Sequence, residues 1–207
     1  MTDDPRLTQW NERYSTEEFI FGQEPNAFLA SQQAMLRSGQ AVLAVADGEG
    51  RNGVWLAKHG LNVCSVDFSP VALAKARKFA EREGVHLTTE VADVVTWNWG
   101  TERFDVVVAI FIQFATPAER SIIFSKMKTT LRPGGFAILE GYTPKQLQYR
   151  TGGPSQIENL YTAELLRDAF ADMSILHLRE YDNVISEGTR HSGPSALIDL
   201  VARKPGS

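Results

Sequence analysis

The sequence is poor in cysteine, and it has no long apolar run. Cys64 is the only cysteine among 207 residues, so no disulfide can form within the chain. This usage fits a reducing compartment. No apolar stretch approaches the roughly 18–20 residues that a membrane helix needs, and residues 1–5 are acidic rather than basic-then-apolar as in a signal peptide. We therefore expect a cytoplasmic protein without a membrane partner.

An excess of positive charge is also missing. Lys and Arg together number 21 and Asp and Glu 25, which gives a formal net charge of −4. That balance disfavours a nucleic-acid partner bound through a broad basic face. The histidines show no metal-ligand spacing, so no metal site is predicted. There is no fixed-period repeat or low-complexity linker, and the oligomeric state is left open.

From residue 41 onward, short apolar runs alternate with segments of helical periodicity. Predicted strands cover 41–46, 62–66, 85–91, 104–112 and 136–140, and predicted helices cover 52–59, 69–83 and 117–131. This alternation predicts a Rossmann-like, doubly wound α/β sheet. After a helix at 162–170, two further strands at 174–182 and 196–202 are joined by a polar loop and should pair antiparallel. The expected sheet has seven strands, mostly parallel with an antiparallel last strand.

We predict a single domain, residues 1–207, with three parts. Residues 1–40 form an N-terminal helix and lid segment, and their aromatic residues between Trp10 and Phe28 are expected to cover a ligand site. Residues 41–142 form a cofactor-binding core. Residues 143–207 supply acceptor-side loops and the final strands.

A glycine-rich turn follows the first predicted strand. Gly48, Gly50 and Gly53 fit the pattern G-x-G-x-x-G, and Asp67 ends the next strand 67 − 48 = 19 positions later. An acid at that position can accept hydrogen bonds from ribose hydroxyls. The pattern predicts a nucleoside-containing cofactor. The alternative is that the glycines only form a turn and that Asp67 only caps the next helix.

The charges of this turn separate two cofactor classes. Asp47 and Glu49 would repel the pyrophosphate of a dinucleotide, which binds at a helix N-terminus. They would instead favour the sulfonium and ammonium groups of S-adenosylmethionine. The turn therefore favours S-adenosylmethionine, with an NAD(P)-linked oxidoreductase or epimerase as the alternative.

Five motifs in order resemble those of class I S-adenosylmethionine-dependent methyltransferases. They lie at 46–50, 66–69, 91–94, 104–107 and 131–135. The resemblance implies that Asp67 binds the ribose and that Phe68 packs beside the adenine ring. It also implies that Asp93 and the Val94 amide contact the polar edge of the adenine. The full set of implied cofactor residues is Ala46, Asp47, Gly48, Gly50, Asp67, Phe68, Asp93, Val94 and Ile110.

Two positions depart from that pattern. The class usually has an acid where Ala44 stands and a glycine where Ala46 stands. Asp47 could in part replace the missing acid as the anchor of the methionine ammonium. The missing acid also suggests a further alternative, a non-catalytic S-adenosylmethionine-binding module.

The flanks resemble the tellurite-resistance and thiopurine methyltransferase-like branch. The matching segments are 10–14, 21–26, 149–154 and 187–193. This branch implies a small, soft or anionic acceptor, such as a thiol or a chalcogen oxyanion. The candidate acceptor residues are Tyr149, Glu187, Arg190 and His191, with Arg150 nearby and Glu187 orienting His191. Otherwise the 187–193 run is only a solvated hairpin loop.

Overall fold

The computed structural model describes residues 4–189 and 191–206. In these ranges the α-helices are α1 (Pro5–Tyr14), α2 (Ala27–Ser31), α3 (Arg51–Lys58), α4 (Pro70–Arg82), α5 (Pro117–Thr130), α6 (Gln146–Tyr149) and α7 (Ala163–Ala169). The strands are β1 (Ala41–Val45), β2 (Asn62–Asp67), β3 (Thr88–Val91), β4 (Phe104–Ile110), β5 (Leu131–Tyr142), β6 (Ser174–Glu187) and β7 (His191–Arg203). Single 3₁₀ turns cover Gln33–Met35 and Ile157–Asn159.

The seven strands form one mixed sheet in the order β3-β2-β1-β4-β5-β7-β6. β1 pairs with β2, β2 with β3, and β4 with β5 in parallel, whereas β5 and β7 are antiparallel. The predicted fold class is therefore confirmed.

The described residues form two compact units. One contains residues 4–97 together with 187–189, and the other contains 98–186 and 191–206. The single-domain organisation stays a prediction, and each unit is described by itself.

In the first unit, local sequence signals place the helices around β1 and β2. Ser69 caps α4 by accepting a hydrogen bond from the amide of Ala72 at 3.1 Å, and Pro70 occupies the first turn. β1 is buried from Val42 to Val45 because apolar side chains cover it on both faces. The strand therefore ends in a fixed position, and the glycine-rich turn begins there.

In the second unit, β4 and β5 form the buried centre. Val106 and Val107 of β4 are fully buried, as the continuous apolar run predicts. Thr116 and Glu119 form a capping box at the start of α5. None of the helices among the described residues is both long and apolar enough to cross a bilayer.

The final strand pair differs from the prediction. β6 reaches Glu187 and β7 begins at His191, so the predicted loop between residues 182 and 196 is almost entirely strand. Every residue of β6 is exposed or half-buried, so no buried apolar run marks the part of this strand that continues beyond residue 182. The connection between the two strands is short rather than a long polar loop, and we call its described residues, 187–189, the hairpin tip.

Candidate functional site

The glycine-rich turn leaves β1 in a left-handed backbone conformation. Ala46 has φ 49°, in the region that a residue with a Cβ adopts only at a cost, and Gly48 and Gly50 have φ 58° and 85°. A Cβ on Gly50 would lie 2.7 Å from the Cβ of Ala76 in α4. Glycine at position 50 therefore lets the turn and the start of α3 pack closely against α4.

The acid at the end of β2 meets this turn. The amide of Gly48 donates to Asp67 Oδ2 at 2.9 Å, and the amide of Ser69 donates to Oδ1 at 2.8 Å. Burial raises the pKa of Asp67 to about 6, although these amide donors act in the opposite direction. The structure thus brings together the two features that the sequence pattern paired.

The other implied adenine residues lie at the ends of β2 and β3. Asp93 Oδ1 accepts a hydrogen bond from the amide of Val95 at 2.9 Å, and its Oδ2 lies 3.9 Å from the Arg6 guanidinium. Val94 is buried, whereas Phe68 is half-buried beneath Arg6 at 6.0 Å. Arg6 thus reaches both the ring and the acid, and nothing in the sequence pattern identified it.

The two acids within the turn have internal partners. Asp47 Oδ2 accepts from the Ser65 hydroxyl at 2.8 Å, and its Oδ1 accepts from the Gly53 amide at 3.2 Å. A Cβ on Gly53 would collide with the Asp47 carboxylate, so the third glycine of the pattern accommodates an acid of the chain itself. Burial raises the pKa of Asp47 to about 7.

Glu49 connects the turn to the N-terminal strap, by which we mean residues 16–26. Its Oε2 accepts from the amide of Ile20 at 2.8 Å, and its Oε1 forms an ion pair with Lys75 of α4. Lys75 also donates to the carbonyls of Thr16 and Glu18 at 2.8 and 2.7 Å. The charge argument for S-adenosylmethionine assumed that the acids of this turn face the ligand, whereas Glu49 is 3% exposed and paired with a lysine.

Helix α1 brings a tyrosine to the glycine turn. A Cβ on Gly48 would lie 2.9 Å from the hydroxyl oxygen of Tyr14, so this hydroxyl lies directly beside the turn. Tyr14 is buried against Trp10, with ring centroids 5.5 Å apart. Burial, together with the nearby carboxylates of Asp67 and others, raises the pKa of Tyr14 well above its ordinary value. Its hydroxyl therefore stays protonated and can donate a hydrogen bond.

The hairpin tip that carries Glu187 packs onto the strap and onto the start of α3. Glu187 Oε2 lies 2.7 Å from Arg51 Nη2, and its Oε1 accepts from the Asn26 side-chain amide at 3.1 Å. The amide of Thr189 donates to the carbonyl of Ile20 at 3.0 Å. The structure places the Glu187 carboxylate in this buried network, which sequence reasoning missed because Glu187 lies more than a hundred residues along the chain from both Asn26 and Arg51.

The remaining acceptor candidates belong to the second unit. His191 begins β7 and is half-buried, with its ring centroid 4.5 Å from that of Phe111 and 5.8 Å from that of Tyr142. Tyr149 ends α6 beside Lys145, and Arg150 follows it with φ 55°. Ile110, the implied cofactor residue of this unit, is 9% exposed at the end of β4. Arg190 lies outside the described residues.

An open cleft of about 420 Å³ lies between α1, the strap and the hairpin tip. Its lining is mostly polar and comprises Gln9, Glu12, Arg13, Thr16, Glu18, Ile20 and Thr189. Among the described residues there is no group of three or more His, Cys, Asp or Glu side chains arranged to hold a metal.

A family match and a curated relative indicate the kind of domain. Residues 42–135 match the family described as a methyltransferase domain. An uncharacterized methyltransferase of Synechocystis is 30% identical over 127 residues, which cover 60% of this chain and 58% of the relative. The chain spans little more than half the length of the curated relatives that it matches first.

Two solved structures show the same fold. One, described as the conversion of a disulfide bond into a thioacetal group during echinomycin biosynthesis, has a TM-score of 0.77 and 23% identity over 97% of this chain and 92% of that chain. TehB from Haemophilus influenzae has a TM-score of 0.70 and 18% identity over 96% of this chain and 67% of that chain.

Proposed function

Because residues 42–135 match the family described as a methyltransferase domain, we propose that this chain transfers a methyl group from S-adenosylmethionine to a small, soft or anionic acceptor. The family match over residues 42–135 confirms the predicted class and the predicted cofactor. The observation that carries the proposal is the junction of Asp67 with the Gly48 turn, at the ends of two neighbouring parallel strands. Ligands of open α/β sheets bind outside such strand ends.

The residues at this junction suit the cofactor. Asp67 already accepts amide hydrogen bonds from Gly48 and Ser69, and an ionised carboxylate has further acceptor positions for two ribose hydroxyls. Gly48 leaves room beside Tyr14 that a Cβ would reduce, so a ligand chain can approach the backbone there. The protonated Tyr14 hydroxyl can donate to a carboxylate at the methionine end.

This chain departs from the class pattern at the residue expected to bind the methionine ammonium of the cofactor. Ala44 is buried in β1, and Asp47 directs its two oxygens to Ser65 and Gly53. We propose that the carbonyl of Ala46 takes over part of this anchoring, since its left-handed backbone redirects the turn at that residue.

The chemical step requires no general acid, because the leaving group is neutral. Bound S-adenosylmethionine would supply a methyl group on a sulfonium: an electron pair of the acceptor would form the new bond to the methyl carbon in line with the breaking C–S bond, and the thioether would leave without charge. A soft anion is already nucleophilic near neutral pH, so the protein acts by alignment and by exclusion of water. We propose that His191, Arg190 and Tyr149 hold the acceptor, with His191 taking up a proton where the acceptor arrives protonated. Glu187 holds the hairpin tip through Arg51 rather than acting on the acceptor.

Two likenesses support a soft acceptor. One is the structure described as the conversion of a disulfide bond into a thioacetal group, which is a change at sulfur, and the other is TehB. Both are similar to this chain over nearly its whole length.

The cofactor is tested by titration calorimetry with S-adenosylhomocysteine and, in parallel, with NAD. We expect S-adenosylhomocysteine to bind and NAD not to bind. Asp67→Ala should weaken S-adenosylhomocysteine binding by about 1–3 kcal/mol, the usual contribution of hydrogen bonds to a charged group. NAD binding without a response to S-adenosylhomocysteine would establish the oxidoreductase alternative instead.

The acceptor residues are tested by His191→Ala. We expect kcat/KM for a thiol acceptor to fall while the affinity for S-adenosylhomocysteine stays unchanged. The pH–rate profile should change shape if the imidazole takes up a proton, and keep its shape if it only positions the acceptor. Unchanged turnover would remove His191 from the acceptor site, and S-adenosylhomocysteine binding with no methyl transfer to any acceptor would favour a non-catalytic binding module.

A further inference from the structure

A strained aromatic residue follows β4 in the second unit. Phe111 has φ 54°, and a bulky residue in this left-handed region is a true conformational outlier. Such strain costs roughly a tenth to a half of a typical domain's free energy of unfolding, and it persists mainly at ligand-binding or catalytic positions. The amide of Phe111 donates to the carbonyl of Glu140 at 2.8 Å, which fixes the strained backbone to β5.

Two neighbouring rings hold the Phe111 side chain. Tyr142, the last residue of β5, stacks on it with centroids 4.6 Å apart and planes 28° apart. His191 meets it edge-on, with centroids 4.5 Å apart and planes 68° apart. We call Phe111, Tyr142 and His191 the aromatic bracket.

The bracket has a rigid base and a partly open side. Tyr142 is 1% exposed and belongs to an apolar cluster with Leu160 and Leu197. A Cβ on Gly153 would lie 2.8 Å from the Tyr142 ring, so the loop after α6 covers this ring closely. Phe111 and His191 are only half-buried, and they leave ring surface accessible at the carboxyl ends of β4 and β5. That end of a parallel pair is where ligands bind in α/β sheets.

We propose that Phe111 is a specificity residue that selects a sulfur or other soft acceptor atom over an oxygen atom. This inference rests on the proposed function, because it concerns the acceptor of the proposed reaction. An aromatic ring attracts a polarizable sulfur, whereas it offers no hydrogen bond to a hard oxygen nucleophile, which loses hydration when it approaches the ring. An acceptor atom that reaches the His191 imidazole therefore meets a surface that favours sulfur.

The test compares thiophenol with phenol, since the two probes differ only in the acceptor atom. In the wild type we expect a higher kcat/KM for thiophenol, and Phe111→Leu should lower the thiophenol-to-phenol ratio by about three- to tenfold, the range that corresponds to the usual sulfur–aromatic contact. The change should lie mainly in KM. Phe111→Tyr keeps an aromatic ring and should restore most of the ratio.

Phe124→Leu is the matched control. Phe124 also packs in the second unit against two aromatic rings, those of Tyr161 at 5.8 Å and Phe170 at 5.1 Å, but it belongs to α5 and has no ring contact with the bracket among the described residues. This variant should lose stability and keep the wild-type ratio. An equal drop of the thiophenol-to-phenol ratio in Phe124→Leu would overturn the proposal, because it would show that any loss of packing in this unit lowers the ratio.

Binding measurements separate this proposal from the proposed function. The affinities for thiophenol and phenol are measured by calorimetry with and without S-adenosylhomocysteine, so that no turnover is needed. Failure of S-adenosylhomocysteine to bind would contradict the proposed function. The ratio of the thiophenol and phenol affinities, measured without S-adenosylhomocysteine, would still test the aromatic bracket. Binding of S-adenosylhomocysteine together with a ratio that Phe111→Leu leaves unchanged would overturn the specificity role alone.

Discussion

Replacement of Glu187 by glutamine removes one charge of a buried pair and leaves the other in place. Arg51 Nη2 lies 2.7 Å from Glu187 Oε2, and the two side chains are only 7% and 10% exposed. The second terminal nitrogen of Arg51, Nη1, is buried and finds no hydrogen-bond partner among the described residues. The loss of the carboxylate therefore leaves a buried cation with little compensation.

The size of the effect follows from this burial. Breaking a buried ion pair by removing one partner costs about 3–5 kcal/mol. Glutamine can still accept the hydrogen bond from the Asn26 amide, so we expect a loss near the lower limit, about 3 kcal/mol. For a chain of this length that corresponds to a fall in Tm of roughly 6–12 °C. Urea unfolding at pH 7, followed by circular dichroism, measures the free energy directly.

The chain offers a control pair with the same separation and a different exposure. Lys58 Nζ lies 2.7 Å from Glu83 Oε2, but these side chains are 49% and 27% exposed. Glu83→Gln should change the unfolding midpoint little, because water screens an exposed pair. The double variant Arg51→Met, Glu187→Leu should recover much of the stability that Glu187→Gln loses, since an apolar pair avoids the cost of a buried charge.

Two results would refute this reasoning. Equal losses in Glu187→Gln and Glu83→Gln would mean that burial does not decide the strength of these pairs. Wild-type stability of Glu187→Gln combined with a large fall in kcat would return Glu187 to the acceptor site as a catalytic group.

Three further predictions concern the glycine turn. Ala46→Gly should raise the free energy of unfolding by about 0.5–1 kcal/mol in urea, since glycine adopts φ 49° without a Cβ clash, and a loss of stability would contradict the strain. Burial raises the pKa of Asp47 to about 7, above its value in the unfolded chain, so the protonated carboxyl stabilises the fold at low pH and this stabilisation is lost as pH rises through about 7. The free energy of unfolding of the wild type should therefore fall between about pH 4 and 7, by up to about 1.4 kcal/mol per pH unit relative to Asp47→Asn. Parallel pH profiles of the two proteins would contradict this. The affinity for S-adenosylhomocysteine should rise as pH increases through about 6, the pKa of Asp67, because the ionised carboxylate accepts hydrogen bonds from the ribose hydroxyls. Calorimetry from pH 5 to 8 tests this, and a flat profile equal to that of Asp67→Asn would refute it.

The sequence predicted the elements whose residues carry their own signal. β1 and β4 are continuous apolar runs, and Ser69-Pro70 marks the start of α4. The junction of Asp67 with the glycine turn was also predictable, because a fixed spacing along the chain places the acid at the adjacent strand end.

What the sequence did not show depends on the environment of each side chain. Glu187 looks like a solvated loop residue, and its burial against Arg51 follows only from the packing of segments 136 residues apart. Phe111 looks like a continuation of β4, because an apolar residue after an apolar strand gives no indication of a positive φ. Glu49 looks like a ligand-facing acid until Lys75 and the Ile20 amide are placed beside it.

The contact between the strap and the hairpin tip also has a consequence for synthesis on the ribosome. Gly188, with φ 69°, lies so close to the backbone of Ile20 and Gly22 that any Cβ would collide there, and Thr189 bonds to Ile20 across 169 positions of sequence. At a translation rate of roughly 5–20 residues per second, the strap leaves the ribosome roughly 10–30 s before its partner. During that interval Arg51 has not yet met Glu187 and the strap lacks the contacts of the tip, so we infer that the nascent chain exposes this region to chaperones and proteases until the last hairpin emerges.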